Sequence, residues 1–222
     1  MTATTSTRAR RPGLTPTVRR IITAAVVVLV LIAMFFGTKI VPKGSSLGEG
    51  PAKFSAAAYG KKQFPVQVKY IQGKAVNATT LQAAIAKDAA AAGKQYGVPT
   101  DGGAGPEVPV KFTGVVGKIP AAGFTPVTVP GLPKDQLVNV QLGPAINGTD
   151  LRDATGKIRL GQFENQIAYQ DAASAINNQL KVVLTKAGAP KLTGKTITVT
   201  GVFQLINPKN WNVTPATISV QQ

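Results

Sequence analysis

Val108-Pro109-Val110-Lys111-Phe112-Thr113-Gly114 decides the fold of this chain. Val108, Val110 and Phe112 alternate with other residues, the period-two pattern of a strand with one face turned to a core. Gly114 follows at a point where a barrel strand bends or bulges. Downstream, Val127 and Val129, then Val138, Val140 and Leu142, continue the same period between turn residues such as Pro130-Gly131 and Pro133. One strong helix interrupts the strands. Tyr169, Ala173, Ile176, Leu180, Val183 and Ala187 share a face, Asp171 suits the positive end, Lys181 and Lys186 suit the negative end, and Gly188 with Pro190 terminates it. Two further alternating runs follow, Ile197-x-Val199 and, beyond Pro208 and Trp211, Ala216-x-Ile218-x-Val220.

The order is strands, one helix, then two strands. It predicts an α+β chain whose residues 108–222 form an OB-like five-stranded Greek-key β-barrel with one inserted helix, closure leaving few exposed strand edges. A split α+β sandwich is the alternative, because periodicity does not specify pairing.

Upstream of the barrel, residues 99–107 read as a Gly/Pro loop and residues 54–98 as a helical segment. Thr79-x-x-Gln82 forms a capping box ahead of a stripe of Leu81, Ile85, Ala89, Ala92 and Tyr96, which Gly97 ends. Before it the pattern is ambiguous: Phe64, Val66, Val68 and Tyr70 alternate like a strand, while Phe64, Val68 and Ile71 fit a helical face. Residues 42–53, rich in Gly, Pro and Ser, read as a flexible linker.

Residues 21–41 read as a transmembrane helix. Ile21 to Gly37 is uncharged, and a lysine near the end of the span, Lys39, can snorkel to the interface. Five arginines and no acids precede the run, so the positive-inside rule makes residues 1–20 a basic cytoplasmic tail and the remainder extracytoplasmic. A cleaved signal peptide is the rival reading, but Phe35-Phe36-Gly37-Thr38-Lys39 offers no small-x-small cleavage site.

The 222 residues suit one domain plus accessory segments, and they contain no cysteine and no histidine. Disulfides, thiolate metal sites and the commonest general base are thereby absent. After residue 41 there are 19 basic and nine acidic residues, a net charge of +10. That excess favours anionic surfaces. Nucleic acid is not the expected partner, because aromatic residues are 6% of the chain and the strands do not interleave them with Lys or Arg.

The densest polar constellation is Gly143-Pro-Ala-Ile-Asn-Gly-Thr-Asp-Leu-Arg-Asp-Ala154, followed by Gly161-Gln-Phe-Glu-Asn-Gln166. Asn147, Thr149, Asp150, Arg152, Asp153, Asn165 and Gln166 are the candidate ligand-binding residues, chosen for hydrogen-bonding capacity in one neighbourhood. The plainer reading is a turn-rich loop in which Arg152 pairs with Asp150 or Asp153. Asp150, Asp153 and Glu164 also allow a carboxylate-dependent hydrolase acting on cell-surface glycans. No catalytic residue, metal ligand or cofactor is assigned.

Five other stretches join that constellation in a resemblance: Phe54-Ser-Ala-Ala-Ala-Tyr59, Ala91-Ala-Gly-Lys-Gln-Tyr-Gly97, Phe163-Glu-Asn-Gln-Ile-Ala-Tyr169, Ala175-Ile-Asn-Asn178 and Val213-Thr-Pro215. With these the chain resembles, from about residue 54 to its end, an uncharacterised bacterial family of predicted periplasmic lipoproteins often encoded beside sugar ABC transporters. The resemblance implies an extracytoplasmic position and an accessory role near sugar uptake, with transporter subunits or a polar carbohydrate as partners. It transfers no catalytic residues. The lipid-attachment cysteine of such lipoproteins is missing, so the expected attachment to membrane lipid is the N-terminal helix itself.

Overall fold

The computed structural model describes residues 15–37, 54–100, 104–121 and 123–221. The chain falls into two units, Met1–Lys53 and Phe54–Gln222.

In the first unit, α1 (Pro16–Gly37) has a mean hydropathy of 2.5 over its most apolar window and is long and apolar enough to cross a membrane. Its 22 residues rise about 33 Å at 1.5 Å each. It starts earlier than the sequence pattern indicates. Pro16 occupies the first helical position, where its missing N–H costs nothing, and this draws Arg19 and Arg20 into the helix. Most of the expected tail, residues 38–41 of the expected span, and the expected linker up to Lys53 lie outside the described residues.

The second unit opens with α2 (Ala56–Lys74), capped by Ser55, whose hydroxyl accepts from Ala58 N at 3.5 Å. The ambiguous pattern there resolves as helix. Gln67 and Ile71 are buried and Phe64 and Val68 half-buried on one face, whereas Val66, which a strand would have turned inward, is exposed. Pro65 sits inside the helix on its exposed side, and the Lys61 carbonyl that loses its donor also belongs to an exposed residue. Strand β1 (Val76–Asn77) leads into α3 (Ala78–Lys87) and α4 (Ala89–Tyr96).

The expected capping box at Thr79 does not form. Pairing of β1 with β2 sets the helix start at Ala78, so Thr79 already lies within the first turn, and Asn77 makes no side-chain cap. The expected single helix is also two, because Asp88 adopts an extended conformation and its carboxylate accepts from Ala91 N at 2.9 Å, starting α4.

The barrel follows as β2 (Glu107–Val116), β3 (Thr125–Thr128), β4 (Leu137–Val140), the short α5 (Asp150–Asp153), α6 (Gln166–Lys186), β5 (Thr196–Gln204) and β6 (Asn210–Val220). Around the ring the order is β2-β3-β4-β6-β5, and β5 pairs back onto β2, which closes it. Only β4 and β6 run parallel within the ring. This is the five-stranded OB arrangement, with α6 inserted between the third and fourth barrel strands.

Closure needs β2 to lie against two partners. Val115 and Val116 pair with β3 while Glu107 to Val115 pair with β5, so the strand curls across the barrel. A Cβ on Gly114 would stand 2.6 Å from Thr128 O and 2.7 Å from Val127 Cγ1, and only glycine permits that approach. Gly201 makes the matching approach to Thr214 at a register shift in β5. Inside, Phe203 stacks on Trp211 at 4.9 Å, and the indole N–H donates to Pro208 O at 3.0 Å. Both rings are fully buried with Val110, Val199 and Val213. Residues 107–110 are buried without alternation, because α2, α3 and α4 cover the outer face of that half of β2.

Gly114→Val is expected to lower stability by about 1–3 kcal/mol in denaturant unfolding, the usual range for overpacking. Gly73→Ala, on an exposed helical site with nothing within 4 Å, is expected to be neutral or to stabilise by up to about 1 kcal/mol.

Candidate functional site

The segment from Gln141 to Asp153 leaves β4, crosses one mouth of the barrel and ends in α5. Its course is held by polar side chains of the surrounding elements. Gln141, buried, donates its amide to Asn147 O at 2.9 Å and accepts from Asn147 N at 3.3 Å. Asn177 of α6, also buried, donates to Gly148 O at 2.9 Å. Thr214 of β6 donates its hydroxyl to Asp150 Oδ2 at 2.6 Å. Gly148 has φ +96°, a backbone geometry that side chains rarely adopt, so the turn at the tip is written into that residue.

This segment forms a ridge between two clefts. On one side, a cleft of about 390 Å³ is lined by Phe124, Gln141, Asn147, Gly148, Asp150, Gln204, Ile206, Asn207, Asn210 and Asn212. Seven of these ten residues carry a carboxamide or carboxyl group, and none is a lysine or arginine. Asn139 fixes part of the wall, donating to Asn210 Oδ1 at 2.8 Å and Asn212 Oδ1 at 3.2 Å. On the other side, a cleft of about 370 Å³ is lined by Thr149, Arg152, Asp153, Tyr169 and Gln204, with Pro99, Thr100, Gly156, Ile158 and Leu160. Gln204 lines both.

Below the ridge lies a buried charge cluster. Arg152 donates from Nε to Asp153 Oδ1 at 2.8 Å and from a terminal nitrogen to Oδ2 at 2.9 Å, and it donates to Tyr169 O at 3.3 Å. Its guanidinium carbon also lies 3.6 Å from the centre of the Tyr169 ring. The residue therefore rivets α5 to α6. Burial, reinforced by Asp150 and Asp153, pushes the Glu107 carboxyl up to about 9, so it is neutral at pH 7. Burial likewise raises Asp150, to about 6, against the opposing hydrogen bond from Thr214. Glu107 Oε2 has no hydrogen-bond partner among the described residues.

The seven residues singled out from sequence divide among these features. Asn147 and Asp150 line the carboxamide-rich cleft; Thr149, Arg152 and Asp153 line the other. Asn165 and Gln166 line neither. The Asn165 side chain accepts from Ala168 N at 2.9 Å and caps α6, of which Gln166 is the first residue. Glu164 is exposed and lines neither cleft, while Asp153 is held by Arg152. Among the described residues, no group of three or more Asp or Glu is placed to hold a metal ion.

Sequence reasoning missed Gln141, Gln204, Asn207, Asn210, Asn212 and Phe124 as cleft residues, and Asn177 and Thr214 as the groups that hold the ridge. A signal was present: three asparagines fall within Asn207-Pro-Lys-Asn-Trp-Asn212, on either side of the buried Trp211.

The closed ring with its helix between the third and fourth strands defines an OB-fold protein with a polar mouth. The chain is similar to an OB-fold protein from Thermotoga maritima, known from a 1.90 Å crystal structure, with 17% identity and a TM-score of 0.61 over 78% of this chain and all of that one. That likeness shows the fold. The chain belongs to the family described as "Predicted periplasmic lipoprotein (DUF2291)", which it matches over residues 26–219. No curated protein matches it.

The buried acids predict a pH dependence with a definite sign. Both folded-state values lie above the ordinary 4.5 of Glu and 3.8 of Asp, so the unfolded chain releases these protons first. Stability is then greatest in mild acid and falls, by on the order of a few kcal/mol, as pH rises from about 4 towards 9. Urea midpoints across that range measure it. Glu107→Gln, neutral at every pH, is expected to flatten the part of the decline above about pH 6.

Proposed function

We propose that this protein is a membrane-anchored, extracytoplasmic, non-catalytic binding module whose ligand seat is the carboxamide-rich cleft, and that the ligand is a neutral, hydroxyl-rich molecule of the carbohydrate class. The observation that carries this reading is the chemistry of the lining. A carboxamide offers both a donor and an acceptor, which is what a sugar hydroxyl requires on either side of its oxygen. Seven such or related groups line the cleft, with Phe124 and Ile206 as apolar wall, in a domain whose surface is otherwise rich in lysine. Gln141 and Asp150 hold the ridge and Gln204 donates to Thr100 and Gly105, which leaves the side-chain amides of Asn147, Asn207, Asn210 and Asn212 to meet a ligand. A basic domain that keeps lysine and arginine out of this cleft gives an anion no counter-charge there, and its one carboxylate, Asp150, is already held by the Thr214 hydroxyl, so the lining suits an uncharged ligand. The volume falls in the range of small-molecule sites, about 300–1,000 Å³.

Membership of a predicted periplasmic lipoprotein family and the apolar α1 support the extracytoplasmic, anchored part of the reading. A single pass with a cytoplasmic N-terminus follows from the arginines that precede the apolar run. An accessory role to a carbohydrate ABC transporter, in contact with its subunits, extends the proposal and rests on the gene neighbourhood that the sequence resemblance implies.

Calorimetric titration of the full chain in nanodiscs with a panel of neutral saccharides tests the seat. At least one saccharide is expected to bind and to be recovered unchanged, with Asn147→Leu and Asn212→Leu each weakening it at least about tenfold, near 1.4 kcal/mol. Lys209→Ala, at an exposed residue outside the cleft, is expected to leave affinity unaltered. Binding that survives both asparagine changes removes the cleft from consideration, and turnover of the saccharide removes the non-catalytic reading. Protease added to spheroplasts, from which the outer barrier has been removed, is expected to degrade the Phe54–Gln222 unit; its protection there reverses the orientation. Crosslinking of the anchored protein in cells is expected to capture transporter subunits, and their absence removes the accessory role.

A further inference from the structure

We infer that the exposed face of α2 is a docking surface for anionic lipid headgroups of the membrane that holds the chain. Between residues 51 and 87 the sequence has six lysines and no acid. Four of them, Lys61, Lys62, Lys69 and Lys74, lie on α2, and all four are exposed. None makes an ion pair among the described residues. Asp171, on the helix packed against α2, pairs with none of them.

Lys62, Val66 and Lys69 follow at intervals of four and three residues, so they share one face, and Val66 is 53% exposed between the two ammonium groups. An apolar side chain flanked by lysines is the pattern of an interfacial helix, its charges at the phosphates and its apolar group at the acyl boundary. The opposite face is already committed, with Gln67 and Ile71 buried in the domain.

Position in the chain favours lipid over a free polymer. Eighteen residues separate Gly37 at the end of α1 from Ala56 at the start of α2, a reach of at most about 60–65 Å. The tether therefore keeps α2 at high local concentration beside the surface in which α1 resides. Each lysine near an anionic surface strengthens association about fivefold, so Lys62 and Lys69 beside Val66, with Lys61 and Lys74 to either side of that face, suffice for docking once tethered. This proposal shares the membrane anchor with the reading above and is independent of the ligand in the cleft.

Because the chain has no cysteine, Val66→Cys gives a unique labelling site. The full chain with a fluorophore there is placed in nanodiscs that carry headgroup quenchers, either neutral phosphatidylcholine or phosphatidylcholine with phosphatidylglycerol. Quenching is expected to rise at least about threefold with the anionic lipid and to fall back in 0.5 M salt, where exposed charge attraction is screened within about 4 Å. Replacing the four lysines by glutamine is expected to abolish the rise, while replacing them by arginine keeps it; the arginine protein guards against loss by misfolding. A label at Leu137→Cys on β4 serves as the unquenched reference. Equal quenching in both nanodiscs overturns the proposal. So does a response of the α2 label only to a soluble anionic polymer, which would make that polymer the partner instead.

Discussion

Barrel closure is the constraint on which the rest of this structure depends. A ring of five strands buries its interior only if β2 pairs with β3 at one end and with β5 along its length, and that double duty forces the backbone of Gly114 against Thr128. Once closed, the ring leaves few free edges, and it brings the end of β4 beside the start of α5, the end of β5 and the start of β6. The polar mouth follows from that geometry. Residues far apart in sequence, Gln141, Asp150, Gln204 and Asn212, meet there because the strands that carry them converge.

The ridge between the two clefts adds polar contacts to apolar burial: Leu142, Ile146 and Leu151 anchor it in the core, and polar side chains fix its turn. Gln141, Asn177 and Thr214 are buried side chains, and each finds its partner on the 147–150 segment. Losing one would leave a buried polar group unpaired, at a cost of about 1–3 kcal/mol. A segment anchored by both kinds of contact suits a surface that must present hydrogen-bonding groups in fixed directions. Arg152 contributes to this rigidity. Its position over Tyr169 and its paired bonds to Asp153 join the ridge to α6, so its charge serves the scaffold.

The barrel was legible in the sequence because alternation in β2, β4 and β5 is a local signal of a half-buried strand. The helix of residues 166–186 was legible for the same reason at a different period. Less could be read where neighbours override local pattern. Thr79 carries the spacing of a capping box, yet strand pairing at Asn77 fixes the helix start and leaves it uncapped. The Asp88 break was readable as a helix cap but was hidden by an apolar stripe that continues across it. The site was half legible. Polar density marked the 147–153 segment, but its cleft partners arrive from β5 and β6, and no sequence window contains both sides. Asn165 illustrates the converse, since its oxygen serves the backbone of its own helix.

The reading of the mouth as a saccharide seat is tested most directly by nuclear magnetic resonance of the side-chain amide groups during titration with the neutral saccharide panel. The account predicts that the carboxamide signals of Asn147, Asn210 and Asn212 move together with one saccharide, while those of Asn165 and Asn178 stay in place. Movement confined to residues outside the cleft, or none with any member of the panel, would contradict it.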